Sequence, residues 1–444
     1  MPATGLSDDL PVPRVHGLKT DGVWSGIGRN SGPGSLGVPR VEHNIRRVPG
    51  DVNRERRRLN RGVSLSILFG HLFELCMRGP LLNERLKHQC ISTAVFLLGA
   101  AGVARGEADS LSRPLAFHGL PYVYYTPETD WAFGASGIFT FRTGSEGPMN
   151  PSSLLLDAFY TVKRQYKFTA LPEVFFDRDR FLLTGDFEYG RIVDKYWGIG
   201  AHTADSDSTQ YVKGTYKLQA MVQAIVSGRL RCGLLLEYDR AWMIDKSTNP
   251  LLQRNTVAGS SGGTISGAGV AVSWDTRDNI YFPSSGMYHQ FEHVVYGRFM
   301  GSTFTFQRTL LDFRSFSDLG SGHILALQAQ SIISGGTPPF DQYALLGGGD
   351  MMRGYYTGRY RDNILLAAQA EYRKMVYSRL GIAAFAGAGD VAARWAGFQM
   401  RDMKVSCGGG LRFMFDTKEL LTARLDLGLG RATSGVYLAV REAF

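Results

Sequence analysis

The sequence predicts an all-β protein, a transmembrane antiparallel β-barrel of sixteen strands, on three observations. Residues 109–444 alternate apolar and polar side chains with period two in run after run, a secretory signal precedes them, and the chain closes on an aromatic residue in an alternating segment. Such alternation suits a strand between lipid and a wet lumen, and a helix cannot use it. The mean hydropathy of −0.11 excludes a bundle of membrane helices, whose segments are apolar all round. It does not exclude a barrel, whose two faces average near zero. On composition alone, rich in Gly (54), Phe (26) and Tyr (20), a soluble β-sandwich remains the alternative. The signal and the terminal strand weigh against it.

Residues 1–76 are rich in Gly, Pro and Arg, include the run RERRR at 54–58, and show neither helical nor strand periodicity. They read as a disordered or wrongly assigned upstream extension. Residues 77–108 read as a signal peptide, with Met77 as the expected start. Arg78, Arg85, Lys87 and His88 precede fourteen uncharged residues at 91–104, and Gly106 and Ala108 stand at −3 and −1 of a cleavage site. The mature part, 109–444, is 336 residues, enough for sixteen membrane strands of about 9–11 residues with their connections. Together these elements place the chain in the bacterial cell outer membrane, with outer-membrane lipid as its surroundings.

Three strands illustrate the pattern. Ile364, Leu366, Ala368, Ala370 and Tyr372 oppose Gln369, Glu371 and Arg373. Leu411, Phe413 and Phe415 oppose Arg412, Met414 and Asp416. Leu425, Leu427 and Leu429 oppose Arg424, Asp426 and Gly428. Turn residues separate such runs at 177–179, 283–286 and 335–339, and the Gly/Ser stretch 259–269 reads as a flexible loop. In the terminal segment, Val436, Leu438, Val440 and Phe444 share one face, with Glu442 standing where the pattern wants an apolar residue.

The net charge of +9 falls mostly upstream: residues 1–76 carry 11 basic and 7 acidic side chains, residues 109–444 carry 34 and 31. With no basic stripe or helix-turn-helix pattern, nucleic acid is not an expected partner. Cys76, Cys90, Cys232 and Cys407 lack metal-ligand spacing. Cys232 and Cys407 read as small apolar fillers, with a disulfide between them as the alternative. His289 and His293, four apart, would suit a metal on a helix but fall in a strand. With no Gly-x-Ser-x-Gly elbow in 109–444 and scattered histidines, neither an enzyme nor a metal or cofactor site is expected.

Three segments resemble the barrel of the BamA/TamA (bacterial surface antigen) outer-membrane protein-assembly family. WDTRDNIYFPSSG at 274–286 is similar to a family hairpin in which Asp275 and Arg277 are motif positions and Pro283 and Gly286 shape the turn. LLGGGDMMRGYYTGRYRDN at 345–363 is similar to the loop bearing its Arg-Gly-Tyr/Phe signature, here Arg353, Gly354 and Tyr355. AAQAEYR (367–373) and FAGAGDV (385–391) match two strand motifs, and YYTPETDWAFG (124–134) and YWGIG (196–200) match early strands less diagnostically. The resemblance implies that the long loop folds back into the lumen and that Arg353 meets carboxylates there. Glu371 stands at the family's acidic position. Asp390 is the second candidate, because Gly387 occupies the place where the family carries an aspartate. The resemblance further implies assistance in inserting or exporting proteins, with unfolded outer-membrane or surface proteins as clients. The family's periplasmic POTRA repeats have no counterpart in the pattern, so a barrel-only member with a separate periplasmic partner is expected. The alternative function is a passive pore or structural surface barrel without insertase activity.

Overall fold

A computed structural model describes residues 115–126, 130–143 and 150–444. The expected upstream extension and signal peptide lie outside the described residues. Strands β1 (Leu115–Thr126), β2 (Asp130–Phe141), β3 (Ser152–Thr161) and β4 (Tyr166–Phe176) lead into the long β5 (Phe181–Tyr196), β6 (Thr209–Ser227) and β7 (Leu230–Asp245). β8 (Gly262–Asp275), β9 (Gly286–Tyr296), β10 (Phe306–Asp318) and β11 (His323–Gly336) follow. A long connection then carries a small hairpin of its own, β12 (Ala344–Leu346) with β13 (Tyr360–Asp362). β14 (Ile364–Met375), β15 (Leu380–Ala392), β16 (Lys404–Asp416), β17 (Leu421–Gly430) and β18 (Thr433–Val440) complete the chain.

Sixteen of these strands form one antiparallel sheet in sequence order, with β14 next to β11. Side-chain contacts between its far ends show that the sheet curls round. His118 on β1 reaches Asp416 at the end of β16 at 3.0 Å, and Arg441 beyond β18 reaches Glu173 on β4 at 3.0 Å. Among the described residues no backbone pairing joins β1 to β18. The barrel is also uneven in height. β6 has 19 residues and β18 only 8, roughly 63 Å against 26 Å of extended chain.

Alternation sorts the two faces as the sequence predicts. Leu234, Leu236, Val222, Phe313 and Leu327 are exposed on the outside, where lipid covers them, while Arg373, Glu371, Arg412, Arg424 and Asp426 are buried inside. Connections at one end are mostly short turns, such as 228–229 and 417–420. Those at the other end include the long segments 246–261, 337–343 and 393–403.

Two expectations fail. The stretch expected as a loop at 259–269 is strand from Gly262 onward, paired with β7 on one side and β9 on the other. Its small residues leave room for a neighbour: Tyr296 lies where a side chain on Gly267 would be. The terminal segment is likewise not one alternating strand ending at Phe444. β18 stops at Val440, Arg441 takes φ +75°, and the chain turns into the lumen. There Ala443 and Phe444 pack against Phe316 and Ala326. Glu442, out of place in a lipid-facing pattern, meets Arg412 at 2.7 Å and the Thr422 hydroxyl at 3.0 Å. Cys232 and Cys407 are both free thiols.

Candidate functional site: a plugged lumen

The connection from β11 to β14 folds into the barrel because its tip is made of groups that the inner wall can satisfy. Arg353 is fully buried there. Its guanidinium donates to Glu371 on β14 at 2.5 Å and to Asp426 on β17 at 2.6 Å, and lies 3.5 Å from the centroid of the Phe385 ring on β15. The same two carboxylates serve three more arginines. Glu371 accepts from Arg373 at 2.7 Å and Arg412 at 3.0 Å. Asp426 accepts from Arg412 at 2.5 Å and Arg424 at 3.0 Å. Arg424 also reaches Asp350 in the loop at 2.5 Å. A guanidinium in a narrow lumen is costly alone, and each of these four has at least one charge-assisted carboxylate partner.

Asp390, the second candidate, does not meet Arg353. It pairs with Lys404 at 2.5 Å. The strand register explains why. Glu371 stands opposite Phe385, whereas Asp390 stands opposite Leu366, five residues away along β14 and so about 17 Å from the Glu371 level. From Glu371 the same level runs through Phe385 and Gly408 to Gly428, which puts Asp426 only two residues off it. Asp426, Arg373, Arg412, Arg424 and Glu442 were not among the candidate residues. The signal for Asp426 was its place on the polar face of 423–430, between Arg424 and Gly428.

The two other signature residues fix the tip's seat. Gly354 has φ +110°, and a Cβ on it would lie 2.6 Å from the Leu429 backbone; one on Gly428 would lie 2.6 Å from the Arg353 backbone. Loop and wall thus meet backbone to backbone. Tyr355 is buried, donates to the Val405 carbonyl at 3.1 Å and accepts from the Arg431 amide at 3.0 Å. The Gly354 amide donates to the Tyr437 hydroxyl at 2.8 Å, tying the tip to the last strand. Tyr437→Phe should therefore cost about 1 kcal/mol of stability, because a buried amide loses its acceptor. Chemical or thermal unfolding in detergent, against the unaltered protein, reads that loss directly.

The hairpin motif between β8 and β9 closes the other end. Asp275 and Arg277 form an ion pair at 2.7 Å, Pro283 is buried, and Gly286 takes φ +100° where a Cβ would strike the Thr276 carbonyl. Asp278 caps the turn by accepting from the Ser284 hydroxyl and from the amides of Ser284 and Ser285. Burial works against its charge, and these donors outweigh it, so its pKa is lowered. The turn points Tyr281 and Phe282 inward. Tyr281 packs with Ile138 and Leu421 and donates to the Pro151 carbonyl at 3.3 Å. Burial pushes its phenol up to about 12, so it remains a donor at any physiological pH. The residues after β18 lie beside this turn, with Arg441 stacked on the Tyr281 ring. His289 and His293 are strand residues of β9, beside Phe313 and Thr309 respectively.

Beside the loop lies a cavity of about 2590 Å³, lined in part by Lys167, Glu188, Lys213, Glu237, Arg308 and Tyr437. Its charges are mostly paired across the wall: Lys167 with Glu188 at 2.8 Å, Lys213 with Asp341 at 2.8 Å, Arg308 with Glu237 at 2.6 Å. Among the described residues no group of three or more His, Cys, Asp or Glu is placed to hold a metal ion.

A sixteen-stranded antiparallel barrel plugged by one long inward loop is an outer-membrane architecture. The Omp85 superfamily domain matches residues 158–416. The chain belongs to the Omp85 superfamily and is a bacterial outer-membrane protein. Among solved structures it is similar to BamA from Haemophilus ducreyi lacking POTRA domains 1–3, with 14% identity and TM-score 0.49, covering 74% of this chain and 69% of that one. It is also similar to CdiB from Acinetobacter baumannii, with 10% identity and TM-score 0.49, covering 74% and 60%. The siderophore receptor PirA from Pseudomonas aeruginosa gives 8% identity and TM-score 0.30, covering 74% and 66%. No curated protein matches the sequence.

Proposed function

We propose that the protein assists the insertion or export of other proteins at the outer membrane. The observation that carries this reading is the pair of strand edges at β1 and β18, not joined by a backbone pairing among the described residues. An exposed edge offers N–H and C=O groups that an incoming strand can satisfy. β18, with 8 residues, is shorter than the roughly 9–11 needed to span the hydrocarbon core, so the wall is lowest beside that edge. Arg353, Gly354 and Tyr355 hold the plug, and Tyr437 links the plug to the edge strand. Unfolded outer-membrane or surface proteins are the clients in this reading, and a separate periplasmic protein brings them. The barrel itself performs no covalent chemistry.

The test compares the outer-membrane proteome of a strain lacking the protein with one carrying Arg353→Ala. Both should lose the same defined set of barrel or surface proteins, by severalfold, while total outer-membrane protein holds. An unchanged proteome in the deletion strain overturns the proposal. The internal cavity favours a second reading, a passive pore; steady single-channel conductance of the purified protein in planar bilayers, with no proteome change, is its signature.

A further inference from the structure

On the outer face of the barrel, at the short-turn end, His323, Tyr372 and Lys374 form a basic cluster with no acidic partner among the described residues. His323 of β11 and Lys374 of β14 stand opposite each other in the sheet. Their side chains point outward, since Arg373 between Tyr372 and Lys374 is fully buried in the lumen. Lys374 Nζ lies 2.6 Å from His323 Nε2, and the Tyr372 hydroxyl hydrogen-bonds His323 Nδ1. Among the described residues no carboxylate lies within ion-pair distance of either basic group. Asp318, at the end of the neighbouring β10, instead caps its own turn by accepting from the Gly320 amide.

The hydrogen positions follow from the partners. The ammonium has donors only, so His323 Nε2 must accept from it, and the neutral ring then carries its proton on Nδ1. That N–H donates to the Tyr372 oxygen, which leaves the tyrosine's own O–H free to donate elsewhere. Two of the three ammonium hydrogens are free as well. The cluster thus presents a positive charge and at least three unsatisfied donors outward, with the tautomer and the phenol orientation fixed by the lysine.

Its height on the wall says what meets it. Along β14 the outward residues run Leu366, Ala368, Ala370, then Tyr372, then Lys374, an apolar band giving way to an aromatic and then to a charge. The adjoining turns carry the exposed Leu319, Val376 and Tyr377. That sequence of side chains is what a barrel shows where hydrocarbon ends and headgroups begin. We infer that His323, Tyr372 and Lys374 form a binding site for the phosphate of a phospholipid headgroup in the leaflet at the short-turn end. The phosphate oxygens accept from Lys374 and from the Tyr372 O–H, and the acyl chains lie along Ala370 and Leu327, about 13 Å further along the strands.

Native mass spectrometry of the full chain released from detergent, titrated with phosphatidylglycerol, tests the site. His323→Ala with Lys374→Ala should lower the bound phosphatidylglycerol about fivefold, the worth of one basic side chain near a lipid surface. Tyr372→Phe, which removes a single O–H from an outward ring and leaves the barrel intact, should lower it about twofold to threefold, as loss of one hydrogen bond implies. Inorganic phosphate at the same concentration should leave the lipid in place, because it lacks the chains. Equal lipid occupancy in the unaltered protein and both variants overturns the inference, as does displacement of the lipid by inorganic phosphate.

Discussion

Asp426→Ala should unseat the plug. Removing that carboxylate leaves Arg353 with Glu371 as its one carboxylate and takes one of the partners of Arg412 and Arg424, at guanidinium groups that are all buried. Breaking a buried pair from one side costs about 3–5 kcal/mol. The loop has a cheaper alternative to remaining docked and uncompensated, which is to leave, so the cost appears as an exposed loop more than as an unfolded barrel. Trypsin reports it. The Arg353–Gly354 bond is buried in the unaltered protein and should resist cleavage, whereas Asp426→Ala should be cut there with the barrel still migrating as a folded species on unheated gels. Asp390→Ala is the matched comparison. Asp390 pairs with Lys404 and not with Arg353, so its loss should leave the Arg353–Gly354 bond protected. Cleavage in both variants, or in neither, would sink the assignment of Asp426 as the plug's anchor.

Gly354→Val should displace the tip by a different route, leaving every charge in place. At φ +110° a β-branched residue is strained by about 1–3 kcal/mol. Its Cβ would also sit 2.6 Å from the Leu429 backbone, which is held in the sheet and cannot give way. Overpacking of this kind adds about 1–3 kcal/mol. Spin labels on the loop and on the outer end of β17 should then show the distance between them lengthening and broadening. An unchanged, narrow distance distribution would mean that the tip does not rest on β17 as described. Gly428→Val meets the same contact from the wall side and should give the same broadening.

The barrel was legible in the sequence because alternation is a direct record of which side of a sheet a residue faces. The separation of lipid-facing leucines from luminal arginines follows from that record. Strand number rests on the length of 109–444, and the membrane address on the signal and the terminal segment read beside it. What alternation does not carry is height. Asp426 lies on the inner face two residues from the Glu371 level, whereas Asp390 pairs with the outward Leu366 five residues along β14 and meets Lys404. The reading of 259–269 as a loop erred for a related reason. Glycine and serine in a row weaken a strand's own preference, but two paired neighbours and a bulky Tyr296 next door make small residues the ones that fit. Phe444 shares parity with Val436, Leu438 and Val440, and parity assumes an extended backbone; the positive φ at Arg441 breaks it, and the arginines that draw Glu442 inward come from strands far away in sequence.

The plug's seat has a bearing on the order in which the chain takes its shape. Every residue that receives Arg353 and Gly354 comes later in the sequence than they do. Glu371 follows by 18 residues, Asp426 by 73 and Tyr437 by 83. The first contact is available as soon as β14 is laid down, while the others wait for the last two strands. Contacts across such separations carry a larger closure entropy and form late. A fully seated tip is therefore a record that the last strands are in register, and a chain stalled one hairpin short holds Arg353 by Glu371 and the Phe385 ring without Asp426. The arginine at the plug's tip counts the strands that reach it.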